Sequence, residues 1–182
     1  LGLSALPTAH PSNRGMVGMH GNYAPNLLTN ECDLLIAIGM RFDDRVTGDL
    51  RTYAKQAKII HLELDPAEVN KNVKADVSLL SDCKISLQAL TDKIETKSYP
   101  EWIKRFDDLD AIENEKVIDG DLHPTKPGLT MGESVEMINK HSKGDAVIVT
   151  DVGQHQMVAC RYAKFTQSKS NVTSGGLGTM GF

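Results

Sequence analysis

Hydrophobic and polar positions in the first half of the chain alternate between two periods, which predicts strands interleaved with helices. Residues 33–39 (Asp-Leu-Leu-Ile-Ala-Ile-Gly) form a continuous apolar run ending in glycine, the pattern of a central parallel strand buried on both faces. Residues 58–64 (Lys-Ile-Ile-His-Leu-Glu-Leu) read as a second strand closed by Asp65-Pro66. Pro66 to Val69 then suits the first turn of a helix, with Asp65 as N-cap and Pro66 at the first helical position. A shorter strand is expected around Asp76 to Leu79. After it, Ile85, Ala89, Leu90 and Ile94 recur at helical spacing. This rhythm predicts an α/β fold with a doubly wound parallel sheet.

Ser98-Tyr99-Pro100 breaks the rhythm, and Trp102, Phe106 and Leu109 then mark one face of a helix. Val117 to Gly128 is polar and proline-containing and reads as an interdomain linker. Thr130-Met131-Gly132-Glu133 has the form of a capping box. It opens a helix that Gly144 ends, followed by a short strand from Ala146 to Thr150 and a further helix over roughly Met157 to Phe165. Asn171 to Ser174 reads as a poor buried strand. The expected division is a first domain over 1–95, a linker with a helix over 96–127, and the beginning of a second α/β domain over 128–182.

Bulk properties narrow the function. The net charge is −4 over 182 residues, with 40% hydrophobic and 24% charged positions. That is ordinary for a globular protein and offers no basic excess for nucleic acid. The apolar run from Leu34 to Met40 is far short of a membrane span. Cys32, Cys83 and Cys160 are far apart and odd in number, which favours free thiols in a reducing cytosol. The six His are scattered, with no pattern for a transition metal.

Candidate chemistry gathers after the strands, because open α/β sheets bind ligands at the carboxyl ends of their strands. Arg41-Phe42-Asp43-Asp44-Arg45 follows the first strand and could hold a phosphate and a hydroxyl-bearing group; a surface ion-pair cluster is the plain alternative. Gly39 would let backbone approach a cofactor. Glu63 and Asp65 end the second strand, where a carboxylate can accept from ribose hydroxyls or simply face solvent. Gly18-Met19-His20-Gly21 is a glycine-flanked loop suited to an anion, or to a structural histidine. Gln154-His155-Gln156 follows the Ala146–Thr150 strand, and His155 could exchange protons near neutral pH. Gly176-x-Gly178-x-x-Gly181 fits a dinucleotide fingerprint in letters, but lacks the strand before and the helix after it. Asp119-Gly120-Asp121 imitates a metal–phosphate motif within the linker.

Taken together, Gly18-Met19-His20-Gly21, Gly39 to Gly48, Val149 to Met157 and Ser174 to Phe182 resemble the catalytic subunit of the acetolactate synthase family of thiamine-diphosphate enzymes. The Arg-Phe-Asp-Asp-Arg-Val-Thr-Gly run is the specific part, and separates this family from pyruvate oxidase and oxalyl-CoA decarboxylase. The resemblance implies a central FAD-binding domain and the opening of a diphosphate-binding domain, cut from a longer enzyme. That enzyme would condense two pyruvates, or pyruvate and 2-oxobutyrate, with loss of CO₂, in branched-chain amino-acid synthesis. It implies FAD contacts at Val17, Gly18, Met19, His20, Gly39, Met40, Arg41, Phe42, Asp43, Glu63, Leu64, Asp82 and Cys83. Asp44 and Arg45 would lie near the substrate channel. Gln154 and His155 would face thiamine diphosphate and the reacting substrate, and Gly178, Thr179 and Met180 would bind its aminopyrimidine. Mg²⁺ would be held by residues outside this chain, and the family's catalytic Glu is expected outside it too, so the isolated chain is expected to be inactive. A cytoplasmic homodimer or tetramer, joined by a regulatory small subunit, is the implied assembly. Val158 departs from the family, where Trp is usual. A different thiamine-diphosphate carboligase or decarboxylase, or a standalone flavin- or nucleotide-binding module, is the alternative.

Overall fold

A computed structural model describes residues 2–182. The helices and strands run in the order α1 (Tyr23–Thr29), β1 (Leu34–Ile38), α2 (Asp44–Thr47), β2 (Lys58–Glu63), β3 (Val77–Leu80), α3 (Cys83–Thr91), α4 (Pro100–Glu113), α5 (Asp119–Leu122), α6 (Met131–Ser142), β4 (Ile148–Thr150), α7 (Gln154–Tyr162) and β5 (Asn171–Thr173). A 3₁₀ turn over Gly2–Ser4 precedes them, and a π-helical turn over Asn114–Ile118 joins α4 to α5. Two compact units result: 26–104 forms one, while 1–25 and 105–182 together form the other. Among the described residues, no helix is long and apolar enough to cross a membrane.

The 26–104 unit is an α/β fold. Its sheet has the order β1-β2-β3 with every pairing parallel, Ile36 opposite Ile60 and Leu62 opposite Leu79. The central strand β2 buries Ile59, His61 and Leu62. Its core packs Ala37, Phe42, Tyr53, Ala54 and Ile59 together, flanked by Leu35, Met40, Ala57, Val73 and Ala75. β1 is not the doubly buried strand that its apolar run predicts. It lies at the sheet edge, and Leu34, Ile36 and Ile38 are 45%, 46% and 46% exposed, while Ala37 on the opposite face is buried. Only one face of this strand receives the core cluster, so burial alternates along it. The helix expected from Pro66 is a set of turns. Asp65 does accept from the Ala67 N–H, but Asn70 enters the left-handed region at φ 61° and ends the turn before a helix can propagate.

In the other unit, β4 and β5 pair in parallel, with Val149 opposite Val172. Asn171–Thr173 is therefore a strand after all, and Ser4 Oγ accepts from the Asn171 N–H. The capping box opens α6 as predicted: Thr130 Oγ1 accepts from Glu133 N, and Glu133 accepts from Thr130 N. Helix α7 begins earlier than predicted, so Gln154 and His155 stand in its first turn and not in a loop. The polar stretch read as linker is helical as far as Leu122. Within it, the Tyr162 hydroxyl donates to Asp121, and burial, with Asp121 beside it, pushes that hydroxyl up to about 12. Asp119-Gly120-Asp121 is thus a helical turn with a structural bond.

Leu62, fully buried in the central strand, and Leu34, at the exposed edge, should respond differently to truncation. Leu62→Ala is expected to cost about 2–5 kcal/mol and Leu34→Ala well under half of that, read from urea unfolding.

Candidate functional site

Parallel pairing brings the carboxyl ends of β1, β2 and β3 to one edge of the 26–104 unit. Gly39 leaves β1 at φ 59°, donating its N–H to Leu62 O at 2.8 Å. A Cβ at Gly39 would meet only Cys83 Sγ, at 3.8 Å, so the edge is open there and the conformation favours glycine. Phe42 is buried yet also left-handed, at φ 52°. An aromatic residue in that region is strained by roughly 1–3 kcal/mol and persists only where its surroundings hold it. Two side chains do so. His61, fully buried on β2, donates from Nε2 to Met40 O at 2.8 Å, and Asn72 donates from Nδ2 to Phe42 O at 3.0 Å. The Phe42 ring also meets the His61 and Tyr53 rings edge-on.

The charged residues of this edge are largely committed to local bonds. Asp43 caps α2 by accepting from the Arg45 N–H and also accepts from Arg41 Nη2 at 3.2 Å. Arg45 and Asp44 form a solvent-facing pair at 3.4 Å, worth little to stability. Glu63 turns inward: one carboxylate oxygen accepts from the Leu64 and Asp65 N–H groups, and its side chain is 12% exposed. Leu64 stands exposed beside it. Asp82 caps α3, accepting from Lys84 N and Ile85 N. The groups free to meet a planar ligand are therefore the Gly39 backbone, the outer face of Arg41 and Leu64. That set suits a flavin nucleotide laid along the strand ends.

Val17, Gly18, Met19 and His20 lie in the other unit, in a turn closed where Asn22 N donates to Met16 O and Met16 N donates to Asn22 Oδ1. The same unit brings together the residues proposed for thiamine diphosphate. Asp151, directly after β4, accepts from His155 Nε2 at 2.5 Å and from the Gly181 N–H at 2.8 Å. It thereby folds the 174–182 loop back onto the first turn of α7. Ser174 Oγ closes the loop from the other end by donating to Thr179 O. Gly178 and Gly181 are left-handed, and Cβ atoms on them would meet nothing within 4 Å. Leu177 and Met180 stand 91% and 72% exposed. This is an open loop with apolar side chains presented outward beside Gln154 and His155, which fits an aromatic cofactor. Among the described residues, no group of three or more His, Cys, Asp or Glu is placed to hold a metal ion. Asp151 and His61 were missed as site residues from sequence, although Asp151 is four residues before His155 and ends the strand.

The family model for the thiamine pyrophosphate enzyme, central domain, matches residues 1–90. Similarity to acetolactate synthase large subunits runs through the whole chain. The chain belongs to the thiamine pyrophosphate enzyme family. It is 43% identical to the probable acetolactate synthase large subunit of Methanocaldococcus jannaschii, over all of this chain and 32% of that protein. It is 40% identical to the acetolactate synthase large subunit of Lactococcus lactis and 39% identical to the isozyme 2 large subunit of Escherichia coli, again over all of this chain, covering 31% and 32% of those proteins. The chain thus spans about a third of the length of the curated relatives it matches.

The Gly181 N–H bond and the His155 bond hold the Asp151 carboxyl below the usual carboxylate range, outweighing desolvation. A carboxylate whose folded value is depressed contributes stability above its unfolded value, lost as pH falls through the folded one. The Gly181 N–H should therefore keep its bond to Asp151 as the pH falls and lose it only below the usual carboxylate range, read from its amide resonance. In Asp151→Asn it should be displaced already at neutral pH.

Proposed function

We propose that this chain supplies parts of the flavin and thiamine-diphosphate sites of an acetolactate synthase, which joins two 2-oxo acids with loss of CO₂ in branched-chain amino-acid synthesis. The observation that carries the reading is Asp151 tying His155 to Gly181, which sets the 174–182 loop beside Gln154 and His155. Thiamine diphosphate, when bound, supplies the carbanion chemistry of carboligation. The chain's own residues then do the positioning. Met180 and Leu177 offer an apolar support to the cofactor ring, and the Gly178 and Thr179 backbone borders it. His155, with Nε2 committed to Asp151, keeps Nδ1 to accept or deliver a proton at the substrate. Gln154 offers an amide to a substrate carbonyl or carboxylate.

In the 26–104 unit, the strand-end edge at Gly39 to Asp43, Glu63, Leu64, Asp82 and Cys83 is proposed to receive FAD, with Gly39 giving clearance and Arg41 facing the dinucleotide's phosphates. Asp44 and Arg45, both exposed, are available to charged 2-oxo acids. The parent enzyme is proposed to be a cytoplasmic homodimer or tetramer served by a regulatory small subunit and by Mg²⁺ held outside this chain.

The test is FAD titration of the purified chain by flavin fluorescence, with pyruvate turnover assayed on the same sample. Quenching without acetolactate is expected. Gly39→Val, which forces a β-branched residue into a left-handed position at the open edge, should weaken FAD at least roughly tenfold. Unaltered binding in that variant, or acetolactate from the chain alone, would overturn the reading.

A further inference from the structure

The segment from Gly39 to Phe42 has two left-handed residues and no secondary structure of its own, so its shape must be imposed by what it touches. The contacts are few and specific. Gly39 is fixed by Leu62 O, the Met40 carbonyl receives the buried His61 Nε2–H, and the Phe42 carbonyl receives Asn72 Nδ2–H. The Met40 carbonyl is thereby drawn inward to a buried ring, and the Phe42 carbonyl is held by the exposed Asn72. In a trans peptide the N–H points opposite to the C=O, so the Arg41 N–H is turned away from the core and the Asp43 N–H away from Asn72. Neither N–H enters a hydrogen bond among the described residues. Two nearby backbone donors are thereby left open at the strand-end edge, beside an Arg41 side chain that Asp43 holds at 3.2 Å.

His61 has more invested in this than packing requires. It is fully buried and its Nδ1 has no partner, so a hydrocarbon of similar shape would avoid an unsatisfied polar atom. Its Nε2–H hydrogen bond goes to Met40 O at 2.8 Å, with Glu63 Oε2 at 3.8 Å from the same nitrogen. We propose that His61 and Asn72 are positioning residues: they preset the Gly39–Asp43 loop so that the Arg41 and Asp43 N–H groups meet the ligand of that edge. This rests on the reading of the edge as a flavin site.

The test uses the full chain and the variants His61→Phe, His61→Gln and Asn72→Ala. Phe keeps a ring against Phe42 but removes the donor, while Gln returns an N–H near the place of Nε2. The backbone amide resonances of Arg41 and Asp43 report the loop without any ligand, and hydrogen exchange of the β2 amides reports the sheet. FAD affinity reports its use. The expected result is a loop whose amide resonances shift or broaden in His61→Phe and Asn72→Ala with β2 protection unchanged, a roughly tenfold loss of FAD affinity, and recovery of both in His61→Gln. Loop amides that behave as in the unsubstituted chain would overturn the proposal. So would loop and β2 amides changing alike in every variant, since that marks a purely structural role. If the unsubstituted chain takes up no FAD, the flavin reading fails, and the loop amide resonances still decide whether His61 and Asn72 set the loop.

Discussion

Parallel strand pairing is the constraint on which both units depend. Antiparallel strands would scatter their ends, but parallel strands place every carboxyl end on one edge, and chain leaving that edge must turn sharply. In the 26–104 unit the turn is made at Gly39, and the neighbouring edge is completed by Glu63 and Cys83. In the other unit the ends of β4 and β5 place Asp151 near Ser174, and the glycine-rich loop begins there. The candidate site residues of both units are consequences of this one pairing mode, since the strands decide which loops can meet.

The two edges are stabilised differently. At Gly39 to Asp43 the backbone is held at two carbonyl groups, by the buried imidazole of His61 beneath it and by the exposed amide of Asn72. At Asp151 a single carboxylate holds its loop from the side, accepting from a helix residue and from a distant backbone N–H at once. The first arrangement costs an unsatisfied buried nitrogen on His61; the second is exposed enough that solvent competes with it. A loop of the second kind opens more readily.

Much of this was legible in the sequence. β2 and α6 follow directly from their apolar spacing and the Thr130–Glu133 capping box, and the Arg-Phe-Asp-Asp-Arg run at a strand end marked the edge. What periodicity could not supply was context. Leu34, Ile36 and Ile38 spell a buried strand, yet β1 sits at the sheet edge with these three turned outward, and no residue on β1 itself encodes its place in the sheet. Asn171 to Thr173 carries too little apolar content to declare itself, because its order comes from backbone pairing with β4. Pro66 promised a helix that Asn70 ends. His61 looked like one more letter of a strand, since its bond to Met40 O joins positions 21 residues apart.

The central claim, that Asp151 assembles one ligand site from the start of α7 and the 174–182 loop, is tested most directly by titrating thiamine diphosphate into the chain and following backbone amide resonances. The account predicts that Gln154, His155 and Gly178 to Gly181 shift together and saturate at a common concentration, and that Asp151→Asn uncouples the two groups. Shifts confined to one group, or a titration in which Asp151→Asn behaves as the unsubstituted chain does, would contradict it.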